Sequence, residues 1–314
     1  MTPNPALDVA TEVPVLEPDR KLACSVPRFD PGGGGVNVAK VVRGLGHPAT
    51  AVFTSGGPTG QRLEQLLAEG ASHHPGIVAV AVPIAQETRE SITVTEASSH
   101  RQFRLVLPGP ALTAQEWSHL QTHTTALAPS HQLSVLSGSF PAEGNVAAVT
   151  AMLRTLRTLS DVLVVDTSGR ALKLAAAVGA DVLKPSLNEL EGFAGSTLHG
   201  ASEIIPAARA LLERGPNGAV LVSLAASGAI LVQRHDHQAW QVHAPPVRVV
   251  STVGAGDSLV GALCVALLSG HAMLDAVRYG VAAGTAAVLA PGSGLCKPAD
   301  IDRLHHEVRV TALN

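Results

Sequence analysis

The sequence predicts an α/β fold of three layers, with a mainly parallel central sheet and a small β-lid. From Leu133 onward, short apolar segments alternate with helical segments, which is typical of buried parallel strands covered by helices on both faces. Between residues 88 and 107, apolar and polar side chains alternate instead, which indicates a hairpin with one buried face. A chain of 314 residues with this continuous pattern is expected to form a single domain, 1–314.

The N-terminal part supplies the predicted lid and a glycine turn. Residues 1–8 have the composition of a turn, so we expect the sheet strand that should precede them to be largely missing. Residues 9–29 are extended and interrupted by prolines, and with the hairpin they predict a lid of about residues 6–29 and 88–107. The run Gly32–Gly35 then leads into a helix, for which Gly46 is the C-terminal signal.

The rest of the chain predicts a sheet with polar residues along one edge. Strands are expected at 133–136, 162–165, 182–183 and 219–223, separated by helices at 145–159, 170–178 and 202–214. A turn at 225–228 leads into a further strand and predicts a closing hairpin. Polar side chains follow the strand ends, which is the edge where open α/β sheets bind ligands.

Composition excludes several classes of function. The chain is 46% hydrophobic and 3% aromatic with a formal net charge of -3, and it has no basic block, which argues against a nucleic-acid partner. The longest apolar run, 259–268, is too short to span a membrane. Cys24, Cys264 and Cys296 have no paired spacing, which favours a reduced, cytoplasmic location.

The segment Ser251–Ser258 is the strongest candidate for chemistry. A turn of small residues that opens a helix leaves backbone N–H groups unpaired and can bind an anion. Asp257 follows Gly254, Ala255 and Gly256 in this turn, so it is placed to face a hydroxyl that attacks a phosphoryl group. The alternative is a tight strand-to-helix connection with Asp257 as an ordinary helix acid. The helix N-terminus is expected to keep Asp257 ionised, and therefore a weak base.

The second glycine turn, 32–35, predicts a close approach between backbone and ligand. Asn37 follows it and is expected to offer its amide to a sugar hydroxyl, with simple helix capping as the alternative. The chain has no Gly-Lys-Ser/Thr segment, and Val38 stands where the dinucleotide-binding motif requires its third glycine. A P-loop and a dinucleotide site are therefore excluded.

Several segments together resemble the ribokinase-like (PfkB) carbohydrate kinases over nearly the whole chain. They are 32–39, 165–169, 184–185, 222–224 and 251–258, in this order and spacing. Within that family the chain is most similar to the phosphofructokinases, and Gly32–Gly35 with Asn37, 101–104 and 295–296 favour the minor bacterial 6-phosphofructokinase type. The resemblance implies a ribokinase-like fold, ATP and Mg²⁺ as cofactors, and a phosphosugar as acceptor.

The resemblance also implies a set of site residues. Asp257 would be the base, and Gly254, Ala255 and Gly256 the anion hole. Sugar hydroxyls would be held by Asp8, Gly33, Gly34 and Asn37, and the sugar phosphate or the lid would lie near Lys21, Arg89, Arg104 and Ser139. The nucleotide would be lined by Lys184, Ser223, Gly228, Thr252 and Thr285, and Glu189 would bind the metal ion.

The chain departs from the family pattern at three places, which involve four residues. Ser186 replaces the asparagine that helps to order magnesium, Ala225 replaces a glycine near the nucleotide phosphates, and Ala290 with Gly294 replaces polar and basic residues at a monovalent-cation loop. The expected reaction is ATP-dependent phosphorylation of fructose 6-phosphate, and a homodimer is expected through the lid. Fructose 1-phosphate and tagatose 6-phosphate remain open as acceptors, and a non-catalytic sugar-phosphate sensor is the alternative of another class.

Overall fold

The computed structural model describes residues 1–73, 77–127, 132–141, 145–290 and 294–313. Its strands are β1 (Ala6–Val13), β2 (Arg28–Gly32), β3 (Ala49–Ser55), β4 (Ile77–Pro83), β5 (Arg89–Glu96), β6 (Gln102–Val106), β7 (Leu133–Ser137), β8 (Val162–Asp166), β9 (Val182–Leu183), β10 (Ala219–Ser223), β11 (Ala229–Gln233), β12 (Ala239–His243) and β13 (Arg309–Leu313). Its helices are α1 (Gly34–Gly44), α2 (Gly57–His73), α3 (Ala114–Leu127), α4 (Val146–Leu159), α5 (Gly169–Val178), α6 (Leu187–Ala194), α7 (Ala201–Leu212), α8 (Ala255–Leu268), α9 (Met273–Ala287) and α10 (Pro298–His305).

The central sheet has the order β13-β12-β11-β10-β9-β8-β7. Strands β7 to β10 run parallel, as the continuous apolar segments predict, whereas β10 to β13 pair in antiparallel fashion. The predicted closing hairpin is confirmed, because β10 pairs with β11 across the 225–228 turn. Strands β12 and β13 extend this antiparallel side, which the sequence did not indicate.

Helices cover both faces of this sheet and complete the three layers. Successive strand residues point to opposite faces: Leu163 and Val165 join one apolar core with α3 to α7, and Val164 joins the other with α1, α8, α9 and α10. All three side chains are fully buried, so neither face of β8 meets solvent. Among the described residues, no helix has the length and apolar character needed to cross a bilayer.

Residues 1 and 2 join a second, two-stranded sheet of β3 and β4 to the central sheet. The amide of Thr2 donates to the Val52 carbonyl at 2.9 Å, and the amide of Ser137 donates to the Met1 carbonyl at 3.1 Å. The backbone of this dipeptide thus lies between β3 and β7, at the position where we expected most of a strand to be missing. The prediction of a turn through residue 8 was wrong at its end, because Asp8 lies within β1.

A separate four-stranded sheet has the order β2-β1-β5-β6. Its β5–β6 hairpin confirms the predicted alternation, and β1 pairs in parallel with β5. Its strands lie within the predicted segments except that β2 continues to Gly32 and so reaches the first glycine turn. The sheet therefore leads directly into α1.

Candidate active site

Polar residues at the ends of the parallel strands meet along one edge of the central sheet. The amide of Gly138 donates to the Asp166 carbonyl at 3.0 Å, and the Thr167 hydroxyl donates to the Gly138 carbonyl at 2.9 Å. The amide of Ser223 donates to the Pro185 carbonyl at 3.0 Å. These bonds bring the ends of β7, β8, β9 and β10 together, as the sheet topology predicts.

The turn before α8 opens onto this edge. Gly254 has a φ of 78°, a left-handed conformation that glycine adopts without strain, and α8 begins at the next residue. Helix α9 packs closely behind the turn, since a Cβ built on Gly284 would lie 3.1 Å from the Ala255 carbonyl oxygen. The first N–H groups of α8 have no partner within the helix and are held in place as donors for an anion.

Asp257 lies in the first turn of α8 and contacts α1, the helix that follows the second glycine turn. The Asn37 Nδ2 donates to Asp257 Oδ2 at 2.8 Å, although the two residues are 220 positions apart. Burial raises the pKa of Asp257 to about 6, against the effect of the Asn37 hydrogen bond. The expectation that Asp257 is ionised at neutral pH agrees with this pKa, but the expectation of a weak base was wrong, because burial makes this carboxylate a stronger base than an exposed aspartate.

A buried ion pair stands beside Asp257. Lys184 Nζ lies 3.0 Å from Asp166 Oδ1, and the Lys184 side chain is 5% exposed. Burial lowers the pKa of Lys184, but the carboxylates of Asp166, Glu189 and Asp257 together outweigh burial, and the pKa lies above its usual value. A Cβ built on Gly256 would lie 4.0 Å from Lys184 Nζ, so the ammonium is next to the anion turn.

Asp166 is a site residue that the sequence prediction missed. Burial raises the pKa of its carboxyl, with Lys184 acting in the opposite direction and Glu189 in the same direction. Its position at the end of an apolar strand, directly before the turn into α5, was a usable signal. Of the two residues in this ion pair, the family resemblance implies a role only for Lys184.

Glu189 and Ser186 form a capping box at the start of α6. The amide of Ser186 donates to Glu189 Oε2 at 2.8 Å, and the amide of Glu189 donates to Ser186 Oγ at 3.3 Å. The backbone amide of Ser186 thus helps to hold the Glu189 carboxylate in place. Carboxylates of Glu189 and Asp166 are donors of the kind that Mg²⁺ prefers, so this part of the site fits the metal.

The residues predicted to bind sugar hydroxyls lie around the second glycine turn. A Cβ on Gly34 would overlap Ser137 Oγ, and one on Gly33 would lie 2.9 Å from Thr2 Cγ2, so only glycine allows this approach. Asn37 Oδ1 and Ser137 Oγ are buried and have no hydrogen-bond partner among the described residues. An unpaired amide oxygen on the residue that contacts Asp257 and an unpaired hydroxyl against Gly34 favour a ligand that carries hydroxyl groups.

The four-stranded sheet faces the anion turn with its polar side. Asp8, Ser91, Thr93 and Arg104 line a cleft together with Val253, which precedes the turn. Burial raises the pKa of Asp8 to about 6, while Lys40 and the two arginines Arg104 and Arg89 lower it. The structure thus brings Asp8 and Arg104 to the same cleft.

Three other predicted sugar-side residues are not among those that line this cleft. Arg89 donates from Nη1 to the Leu107 carbonyl and from Nη2 to the Asn4 carbonyl, both at 3.3 Å. Its guanidinium therefore connects the backbone just before β1 to the backbone just after β6. Ser139 Oγ accepts from Asn4 Nδ2 at 3.0 Å. Lys21 is exposed on the irregular segment between β1 and β2.

The predicted nucleotide residues lie at the ends of β9 and β10, before the start of β11, before α8 and within α9. Gly228 has a φ of 89°, and a Cβ there would overlap the Val242 carbonyl oxygen. Ser223 is half-buried at the end of β10 and Thr252 is exposed before the anion turn. The Thr285 hydroxyl donates to the Val281 carbonyl of its own helix at 2.8 Å. Ala225 has a φ of 49°, which is unfavourable for a residue with a side chain.

Comparison with known proteins gives matches along most of the chain. The model of the pfkB family carbohydrate kinases matches residues 6–300. The ATP-dependent 6-phosphofructokinase isozyme 2 of Mycobacterium tuberculosis is 40% identical over 304 residues, which cover 96% of this chain and 87% of the relative. The 1-phosphofructokinase of Escherichia coli is 30% identical over 296 residues, covering 94% of this chain and 92% of the relative.

A solved structure agrees with the sequence matches. The crystal structure of phosphofructokinase-2 from Escherichia coli in complex with fructose-6-phosphate has a TM-score of 0.87 and 35% identity, and the match covers 98% of this chain and 97% of that chain. The ribokinase-like fold is thereby confirmed. This chain belongs to the pfkB family of carbohydrate kinases, in the phosphofructokinase branch that its glycine turns indicate.

Proposed function

We propose that this chain is an ATP-dependent carbohydrate kinase that converts fructose 6-phosphate to fructose 1,6-bisphosphate. The observation that carries the proposal is the position of Asp257, at an anion-binding helix N-terminus and in hydrogen-bond contact with Asn37 of the sugar-side helix. A carboxylate with a pKa of about 6 is ionised at neutral pH and basic enough to accept a proton in the transition state. The 6-phosphofructokinase relatives support this choice of acceptor.

The proposed reaction is a single phosphoryl transfer. Asp257 accepts the proton of the free primary hydroxyl while that oxygen forms a bond to the γ-phosphorus of ATP. The bond from the γ-phosphorus to the bridging oxygen breaks, and ADP leaves with the electron pair. The N–H groups of the 254–256 turn and the Lys184 ammonium stabilise the charge on the transferring group, which is the main requirement of this chemistry.

The remaining site residues are proposed to hold the substrates. Asp8, Gly33, Gly34 and Asn37 would bind sugar hydroxyls, and Arg104, Arg89, Lys21 and Ser139 would lie on the sugar-phosphate side. Lys184, Ser223, Gly228, Thr252 and Thr285 would line the nucleotide. Glu189, with Asp166 beside it, would hold Mg²⁺, which neutralises charge on the ATP phosphates when bound.

The four-stranded sheet is proposed to be a lid over the acceptor within a single domain and to pair with the lid of a second copy. Phe29, Val9, Ile92 and Leu105 are direct cross-strand neighbours, so they form one apolar row across all four strands. This row lies on the face opposite the polar cleft residues, and Phe29 and Leu105 are 38% and 54% exposed. A second copy offers the same apolar row, so pairing of the two lids would remove both rows from solvent.

We place the enzyme in the cytoplasm, where ATP is available and free thiols such as Cys24 persist.

The test is a panel of phosphosugars with purified protein and magnesium-ATP. Fructose 6-phosphate should be the best acceptor, Asp257→Asn should lower kcat by at least about a thousandfold, and exposed Asp161→Asn should leave it unchanged. If fructose 1-phosphate or tagatose 6-phosphate is the better substrate, that sugar phosphate is the acceptor instead. The 1-phosphofructokinase relative makes fructose 1-phosphate a specific alternative. Binding of a phosphosugar without turnover of any would instead establish a sensor.

A further inference from the structure

We propose that Lys40 is a positioning residue of the acceptor site, which holds the glycine turn in place and balances the carboxylates that face the sugar. This inference rests on the proposed function. Lys40 has no role in the motifs that identify the family, and it lies on α1, three residues after Asn37. Residues at this spacing share a face of a helix, so the amide that contacts Asp257 and the Lys40 ammonium point in the same general direction.

The first part of the argument is a direct contact. Lys40 Nζ donates to the Pro31 carbonyl at 3.2 Å. Pro31 is the next-to-last residue of β2 and directly precedes the glycine turn, so this bond joins the end of the lid sheet to α1. Gly32 ends β2 and α1 begins at Gly34, so Gly33 alone joins the two elements. Glycine has high backbone freedom, and a fixed point next to this junction limits the conformations it can adopt.

The second part is the arrangement of charge. Asp8 on β1 and Asp30 on β2 are direct cross-strand partners, and like charges in such pairs repel. The Asp8 carboxylate also lies against Gly32, where any Cβ would overlap it. The charged groups that act on these two carboxylates come from five elements: Arg28 on β2, which pairs with Asp30 at 2.8 Å, Arg89 on β5, Arg104 on β6, Asp257 on α8 and Lys40 on α1.

Among these groups, Lys40 has the largest charge effect on Asp8. It lowers the pKa of the Asp8 carboxyl more than Arg104 or Arg89 does. Burial lowers the pKa of Lys40 itself, while Asp30, Asp8 and Asp257 raise it. One buried ammonium therefore both fixes the start of the glycine turn and favours the ionised form of the carboxylate proposed to bind sugar hydroxyls.

The experiment compares Lys40→Met, Lys40→Gln and Lys40→Arg with the wild type. Lys40→Met should raise the KM for fructose 6-phosphate about tenfold or more with a smaller change in kcat, and should move the acid limb of kcat/KM up by about one pH unit. Hydrogen exchange of the backbone amides of residues 32–37 should become faster. Lys40→Arg should restore all three readouts, and Lys40→Gln, which keeps an N–H donor without the charge, should restore exchange but not the acid limb.

The control is Lys173→Met, the same substitution at an exposed position of α5. If Lys40→Met matches this control in KM, acid limb and exchange while Asp257→Asn is inactive, Lys40 has no positioning role and the proposed function stands. If the wild type phosphorylates no phosphosugar, the proposed function fails, and the exchange comparison still decides whether Lys40 holds the turn. If Lys40→Met does not fold, the comparison of Lys40→Gln with Lys40→Arg decides by the acid limb.

Discussion

Asp257→Asn should abolish phosphoryl transfer and at the same time stabilise the folded protein. Burial raises the pKa of the Asp257 carboxyl from 3.8 to about 6, which means that the ionised form lowers the free energy of unfolding. Asparagine is nearly isosteric and carries no charge, so it removes this cost. Its amide oxygen still accepts the hydrogen bond from Asn37 Nδ2.

The size of the effect follows from the pKa. A rise of about two units corresponds to about 3 kcal/mol at pH 7, and structural relaxation around the ionised group reduces this, so we expect ~1–3 kcal/mol. For a chain of this length, that is about 2–5 °C in Tm. Above pH 6 the carboxyl is ionised in both the folded and unfolded states, and the cost is fully present. As the pH falls from about 6 to about 4, the folded protein takes up the proton first and the cost disappears.

Thermal unfolding of the wild type and the variant between pH 4 and pH 8 measures this effect. The advantage of Asp257→Asn should be largest at pH 7 and above and should vanish near pH 4. Asp161→Asn, at an exposed site, controls for the loss of one negative charge and should show no such dependence. An inactive variant that is less stable than the wild type at pH 7, or equally stabilised at every pH, would refute the assignment of Asp257 as a buried base with a raised pKa.

Three further predictions concern the same site. Asn37→Ala removes a hydrogen bond to a charged acceptor, worth about 1.5–3 kcal/mol, so the pKa of Asp257 should rise by about 1–2 units and the acid limb of kcat should move up with it. Because burial raises the pKa values of both Asp8 and Asp257 to about 6, kcat/KM of the wild type should fall with a slope approaching two below that pH. Ala225→Gly should relieve left-handed strain of ~1 kcal/mol, which thermal unfolding would detect as a higher Tm, and should lower the KM for ATP.

The sequence predicted those parts of the fold that depend on local pattern. The parallel strands β7 to β10 are short continuous apolar segments, and the lid hairpin alternates, so both were predicted near their observed bounds. Strands β12 and β13 and helices α3, α9 and α10 were not predicted. In α9 the small residues that make close contact with α8 are distributed around the helix, and this weakens the periodic apolar pattern.

The sequence predicted many of the site residues but not the hydrogen bonds, the ion pair and the pKa shifts that join them. The glycine turns identified Asp257 and Asn37, yet their mutual hydrogen bond joins positions that are distant in sequence. The raised pKa of Asp257 depends first on burial, and the Asp166–Lys184 ion pair depends on two strands ending side by side. Ser186 is a different case, because Ser186 and Glu189 have the spacing of a capping box and the sequence could have indicated this helix start.

The packing of α1 against α8 explains how two distant glycine turns form one reaction site. Gly261 lies on α8 one turn beyond Asp257, and a Cβ there would lie 2.6 Å from Val41 Cγ1 on α1. The two helix axes therefore approach more closely than larger residues would permit. On the other side of α8, a Cβ on Gly280 would lie 2.9 Å from the Leu259 carbonyl oxygen. Because α8 is held at close range from both sides, the distance between Asn37 and Asp257 is set by backbone packing, and the acceptor and the phosphoryl group are aligned by a rigid helix pair rather than by flexible side chains.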